Sequence, residues 1–191
     1  EYDGYRALCG QMAESGLPAT FLESEDWTVI TDRVRQGRVP VVALCGLLYK
    51  ALRAAGCPLQ AVAAPILDQP RYSRPLYWSE VLVRADSDYQ DVQHLRGKTW
   101  LFNETDSCSG YRCFVAELAK LGMDASFLGE SVATGSHAAS LQRLAAGEGD
   151  YSVIDSTVFD YLPAEEKARF RVLHSVGPMP TPLVEIGRAH V

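Results

Sequence analysis

The chain has 191 residues, 47% hydrophobic and 22% charged, enough apolar material to bury a real core. No apolar run approaches the roughly 18 residues needed to cross a bilayer. A net charge of −6 argues against a nucleic-acid partner, because no basic stripe is available to neutralise phosphates.

An acidic protein still binds a small anion if neutral donors, rather than lysines, make the contact. The cysteines are Cys9, Cys45, Cys57, Cys108 and Cys113. They show no paired C-x-x-C spacing, and an odd number does not make a disulfide framework. They read as small core residues and weigh against an oxidising compartment without excluding it. Neither a metal nor a cofactor is expected.

In chain order, Tyr5, Leu8, Cys9 and Met12 recur at helical spacing and predict a helix from Tyr2 to Glu14. Ala19 to Leu22 reads as a strand, and Asp26 to Gln36 as a helix capped by Ser24 or Asp26. Val39 to Leu44 is a continuous apolar run of the buried-strand type. Gly46 opens a third helix ending near Gly56, and Leu59 to Ile66 supplies another strand. This alternation indicates βαβ units and the α/β class.

The proline-rich, aromatic stretch Pro65 to Pro75 is the clearest break. Beyond it, Glu80 to Val83 begins a second series. Further strands are expected near 99–102, 127–129 and 151–154, and helices near 109–121, 136–146 and 156–169. Arg171 to Val176 is a last strand, and Gly177-Pro-Met-Pro-Thr-Pro182 cannot be helix. Two α/β lobes joined by extended crossings near 77–84 and 171–180 fit this pattern. A cleft between lobes is a common ligand position.

The chemistry concentrates in Gly97-Lys-Thr-Trp-Leu-Phe-Asn-Glu-Thr-Asp-Ser-Cys-Ser-Gly-Tyr111. A short strand, Thr99 to Phe102, runs into a polar turn and then a helix at about Ser109. The first N–H groups of a helix are unpaired, and with the helix dipole they favour an anion. Ser107, Ser109 and the amides around Gly110 are therefore candidate ligands, or else either serine simply caps its own helix. Gly135-Ser-His-Ala-Ala-Ser140 repeats the device, with His137 in the first turn. The dipole disfavours a cationic imidazole there, so His137 is expected neutral until an anion arrives. A histidine bonded to a nearby carbonyl is the plainer alternative.

These motifs also carry a resemblance. Tyr77-Trp-Ser-Glu-Val-Leu-Val-Arg84, Leu95-Arg-Gly-Lys-Thr99, Ser107-Cys-Ser-Gly110, Gly135-Ser-His137 and Asp150-Tyr-Ser-Val-Ile-Asp-Ser156 follow one another in a shared order. Together, from about Tyr5 to Val184, the chain resembles the phosphate/phosphite/phosphonate-binding branch of the type 2 periplasmic binding proteins, the solute receptors of ABC transporters.

The resemblance implies an α/β fold of two lobes, each a small mixed sheet flanked by helices. Residues 1–78 and 174–184 would form the first lobe and 79–173 the second. It also implies truncation at both ends. The chain opens without the family's first strand, and residues 185–191 read as an adapter-derived tail to be set aside. The implied role is non-enzymatic: capture of a small oxyanion between the lobes by a monomer that delivers it to an ABC permease. The location would be periplasmic or otherwise extracytoplasmic, with no membrane insertion by this fragment.

In the resembled family the equivalent of His137 touches the ligand. Tyr49 and Tyr77 match positions that close the cleft with ring and hydroxyl, and Cys108 falls within the Ser107-to-Gly110 motif. Ser79 shares the face of Tyr77 by the two-residue period, whereas Trp78 points the other way and packs.

Asp155 would repel an anion, so it should pair with a ligand amine, orient His137, or cap the helix beginning at Ser156. Phosphonate receptors for aminoalkyl ligands carry a further acidic residue in the return segment. Thr181 stands in the comparable stretch here, which counts against an aminophosphonate. The alternatives are a hydrolase using Ser109 or Cys108 with His137 and Asp155, which lacks the G-x-S-x-G elbow; a ferric site from Tyr49, Tyr77, His137 and Asp155; and a sensor on the same fold.

Overall fold

The computed structural model describes residues 3–17, 19–22 and 27–187. It begins with α1 (Asp3–Glu14), α2 (Trp27–Arg35), β1 (Val41–Leu44), α3 (Gly46–Ala54) and β2 (Leu59–Ala63). After the proline-rich break come β3 (Leu76–Arg84), β4 (Trp100–Phe102), a π-helical turn (Cys108–Arg112) running into α4 (Cys113–Lys120), β5 (Ser131–Ala133), α5 (His137–Ala145) and β6 (Tyr151–Asp155). The chain continues through α6 (Ser156–Asp160), α7 (Ala164–Lys167), β7 (Phe170–Pro180) and β8 (Leu183–Gly187).

Two sheets result. The first has the order β1-β8-β2, with both described pairings antiparallel. The second has the order β5-β4-β6-β3-β7 and is mixed, since β4 pairs parallel with β5 and β6 while β3 pairs antiparallel with β6 and β7. Its central strand β6 is buried at all five positions. Successive side chains on a strand face opposite ways, and both faces here are covered. Trp100 and Phe102 accordingly pack with Phe114, Phe127 and Tyr151 on one face, while Leu101 packs with Leu141, Leu144 and Phe159 on the other. Trp100 stacks on Tyr111 at 5.0 Å and on Tyr151 at 6.1 Å between ring centroids.

The lobes meet through long strands. The expected boundaries at 78/79 and 173/174 fall inside β3 and β7, which pair with each other over most of their length. Polar contacts brace this crossing. Buried Glu80 on β3 pairs with Arg71 and accepts from Ser175 on β7, and Arg71 also reaches Asp160 and lies over the Trp78 ring. Trp78 therefore packs, as its strand parity predicts.

Five elements depart from expectation. Residues 19–22 form no strand. The strand expected at 127–129 lies at 131–133 instead. Phe127 is buried from a 3-10 turn capped by Asp124, and its apolar signal comes from that burial. The helix expected over 156–169 breaks at Tyr161–Pro163, because Pro163 cannot continue a preceding helix. The strand expected to be last, from Arg171 to Val176, runs to Pro180 as β7 and is followed by β8. Residues 185–187, expected as tail, complete β8, where Gly187 opposes Leu59. Ser24, Asp26 and residues 188–191 lie outside the described residues.

Candidate functional site

Two helix N-termini converge at one end of the second sheet. Ser107 adopts extended backbone before the π turn, and its Oγ accepts from the Gly110 amide at 3.0 Å. It is thus its own helix cap, as the plainer reading holds, but capping uses an oxygen lone pair and leaves the O–H able to donate. Ser136 caps α5 in the same way, accepting from the Ala139 amide at 3.1 Å. This places His137 at the first helical position.

The two termini touch. Ser109 Oγ lies 3.4 Å from His137 Nε2, and both residues are buried. A Cβ built on Gly110 would fall 1.9 Å from Asn103 Oδ1 and 3.0 Å from His137 Cε1. Only glycine lets the turn approach Asn103 and the imidazole so closely. Burial alone lowers the His137 pKa to about 4, so the ring is neutral at neutral pH. Its Nδ1 has no hydrogen-bond partner, and the same holds for buried Asn103 Oδ1 and Ser79 Oγ. Buried polar atoms without partners are uncommon and mark a place where a guest could complete the bonding.

Asn103 is the residue sequence reasoning missed. It follows β4, and its carbonyl accepts from the Gly135 amide, so it ties the two glycine-bearing turns together. An asparagine between a strand end and a Ser-rich turn was the available signal.

A second group adjoins the first. Tyr77 is buried on β3, and its hydroxyl meets the Cys108 thiol. Burial first, then Asp155 and Cys108, push the phenol's pKa well above its ordinary value. Asp155 sits at the end of β6, opposite Ser79 on β3, and its Oδ1 accepts from the Thr157 amide at 2.8 Å and the Thr157 hydroxyl at 2.7 Å. It is the cap of α6 and does not orient His137, so Ser109, His137 and Asp155 form no relay.

Tyr49 stands apart, half-buried on α3 against the first-lobe core of Val42, Leu44 and Leu52. Thr181 is tied into the crossing, its amide donating to Pro75 and its hydroxyl to Pro65. A hollow of about 430 Å³ in the first lobe, lined by Leu8, Met12, Phe21, Ile30, Val41 and Val184 among others, includes none of Ser107, Ser109 or His137. Among the described residues no group of three or more His, Cys, Asp or Glu side chains is arranged to hold a metal.

The chain's fold is shared by several solved proteins. It superposes on PhnD1 from Prochlorococcus marinus in complex with methylphosphonate with a TM-score of 0.80 at 11% identity, covering 97% of this chain and 70% of that one. A binding-protein component of an ABC phosphonate transporter from Pseudomonas aeruginosa gives 0.74 at 17% identity, covering 97% and 63%. The Xanthomonas citri protein XAC2383 bound to ATP gives 0.70 at 20% identity, covering 97% and 71%. No curated protein matches by sequence. The sequence profile described as "ABC transporter, phosphonate, periplasmic substrate-binding protein" matches residues 5–188. With its type 2 periplasmic-binding-protein fold, the chain belongs to this family of ABC-transporter substrate-binding proteins.

Proposed function

We propose that the protein is an extracytoplasmic receptor that captures a small phosphonate-like oxyanion between its lobes as a monomer and presents it to a permease. The observation that carries the ligand class is the meeting of two helix N-termini at Ser109 and His137, with buried His137 Nδ1 and Ser79 Oγ left unpartnered. Ser107, Ser109 and the turn amides around Gly110 would donate to the oxyanion, and the neutral imidazole would offer a ring N–H. Cys108 and Tyr77 would flank it on the β3 side. Tyr49 would close over it from the first lobe when the hinge at the β3 and β7 crossing moves. Asp155 would limit the negative charge tolerated there. The absence of an acidic side chain at Thr181 favours a ligand without an amine.

Each charge-assisted hydrogen bond contributes about 1.5–3 kcal/mol net. Three or four of them, reduced by association entropy, reach micromolar affinity, about −8 kcal/mol. Calorimetric titration with methylphosphonate, phosphate, phosphite and sulfate tests this. Micromolar binding of at least one of them, weakened about tenfold or more by Ser109→Ala, is expected. Indifference to all four anions would overturn the ligand class.

A further inference from the structure

Three thiols gather around the anion site. Cys45 precedes the first turn of α3, Cys108 opens the π turn, and Cys113 follows it. Cys108 Sγ lies 3.3 Å from Cys113 Sγ, and Cys113 Sγ lies 2.8 Å from Met179 Sδ on β7. In a regular α-helix, residues five apart point about 140° away from each other. The π turn, closed by the Cys113 amide donating to the Cys108 carbonyl, widens the helix and brings both thiols to one face. Both are half-buried and so within reach of a small reagent.

We propose that Cys108 and Cys113 form a reversible disulfide, and that its formation raises the affinity of the adjoining anion site. The affinity clause rests on the oxyanion reading above. A disulfide needs its sulfurs about 2.0 Å apart, a gap that side-chain rotation closes from the present separation. The oxidant is a small-molecule disulfide. The Cys108 thiolate attacks one of its sulfurs and expels the first thiolate, leaving a mixed disulfide. The Cys113 thiolate then attacks Cys108 Sγ and expels the second. Two thiols of the protein are oxidised, one disulfide is reduced to two thiols, and the two leaving thiolates take up the two protons.

The electrostatics give the direction. Hydrogen bonding to the Cys113 thiol, whose S–H also lies against Met179 Sδ, is the largest influence on the Cys108 thiol and, with donation from the Tyr77 hydroxyl, lowers its pKa to about 6 against the effect of burial. The other charged or titratable groups around the pair are Asp155 on β6, Arg112 on the same turn, Cys45 at the head of α3 and Lys120 on α4. At neutral pH the reduced pair therefore places negative charge beside Ser107 and Ser109, where it opposes an anion, whereas a disulfide is uncharged.

Arg112 separates the two cysteines, so trypsin gives Thr99–Arg112 and Cys113–Lys120 as separate peptides unless a disulfide joins them. After treatment of the folded protein with glutathione disulfide, mass spectrometry should find these peptides linked, and dithiothreitol should release them. Methylphosphonate affinity at pH 7.5 should rise about tenfold on oxidation, the effect of removing one nearby charge. Cys113→Ser, with Cys113→Ala as a second variant, should abolish both the link and the response to oxidant. Unlinked peptides would overturn the disulfide whatever the anion does. Linked peptides with affinity unchanged within about twofold, or reduced, would overturn the affinity clause alone. No anion binding in either state would overturn that clause together with the proposed function, while the peptide link still decides the disulfide.

Discussion

The two lobes are built to different standards. The second wraps a mixed sheet in two packed layers, with Trp100, Phe114, Phe127 and Tyr151 on one face and Leu82, Leu101, Leu144 and Ile154 on the other, all fully buried. The first has a small core of Val34, Val42, Leu44, Leu52 and Leu59 beside an apolar hollow, and it leaves Leu17, Leu22, Val62 and Ile66 more than half exposed. The candidate donors follow this division. Ser107, Ser109, Asn103 and His137 stand on the well-packed lobe, while Tyr49 stands on the sparse one. A site that must hold several donors to a fraction of an ångström belongs on the rigid partner, and the looser partner is suited to closing over it.

The sharpest way to break this contrast is to hollow out each lobe in turn. Trp100→Ala removes a fully buried ring that stacks on Tyr111 of the π turn. It should cost about 3–5 kcal/mol in chemical denaturation and take anion binding with it. Leu52→Ala in the first lobe should cost about 2–3 kcal/mol, and the Ser109–His137 contact should survive. Equal effects on the site from both changes would erase the distinction.

The crossing between lobes comes next. Arg71→Ala leaves the carboxylate of Glu80 buried without its cation. A loss of about 3 kcal/mol is expected by denaturation, most of it recovered when Glu80→Gln is added, because removing one partner strands a buried charge. Additive losses would mean that the pair does not brace the β3 and β7 crossing. Gly110→Ala should weaken methylphosphonate binding about a hundredfold while costing about 1–3 kcal/mol of stability, because the new methyl displaces Asn103 and His137. Unchanged affinity in calorimetry would show that this close approach is irrelevant to the ligand.

The last effect is tied to pH. The folded pKa of His137, about 4, lies below its ordinary value of 6.5, so between these limits the unfolded chain binds more protons than the folded one. The contribution is fully present above pH 6.5 and is lost as pH falls toward 4, amounting to about 3 kcal/mol at the lower end. His137→Gln should flatten that part of the stability–pH curve. An unchanged slope would place the burial of the imidazole in error.

Much of this was legible in the sequence, for local reasons. The Ser107 and Ser136 caps, the Gly46 helix start and the β6 strand are dictated by capping chemistry and apolar runs within a few residues. The shared order of short motifs carried the family. What was not legible depended on tertiary context. Phe127 looked like strand because it is core, and β7 reads as strand across Pro178 and Pro180 because β3 pairs along its length. Asp155 is placed by sequence to serve His137, but it caps α6 through Oδ1 while His137 Nδ1 has no partner and Nε2 faces Ser109. Asn103 had only a faint local signal, its place between a strand end and a Ser-rich turn, because its importance lies in what fails to bond with it.

The most direct test is to follow the imidazole nitrogens of His137 by NMR as methylphosphonate is added, with His94 and His174 as internal references. The account predicts that both nitrogens of His137 shift on saturation, Nδ1 included, while the other two rings stay still. Saturable binding that leaves the His137 nitrogens unmoved would contradict it.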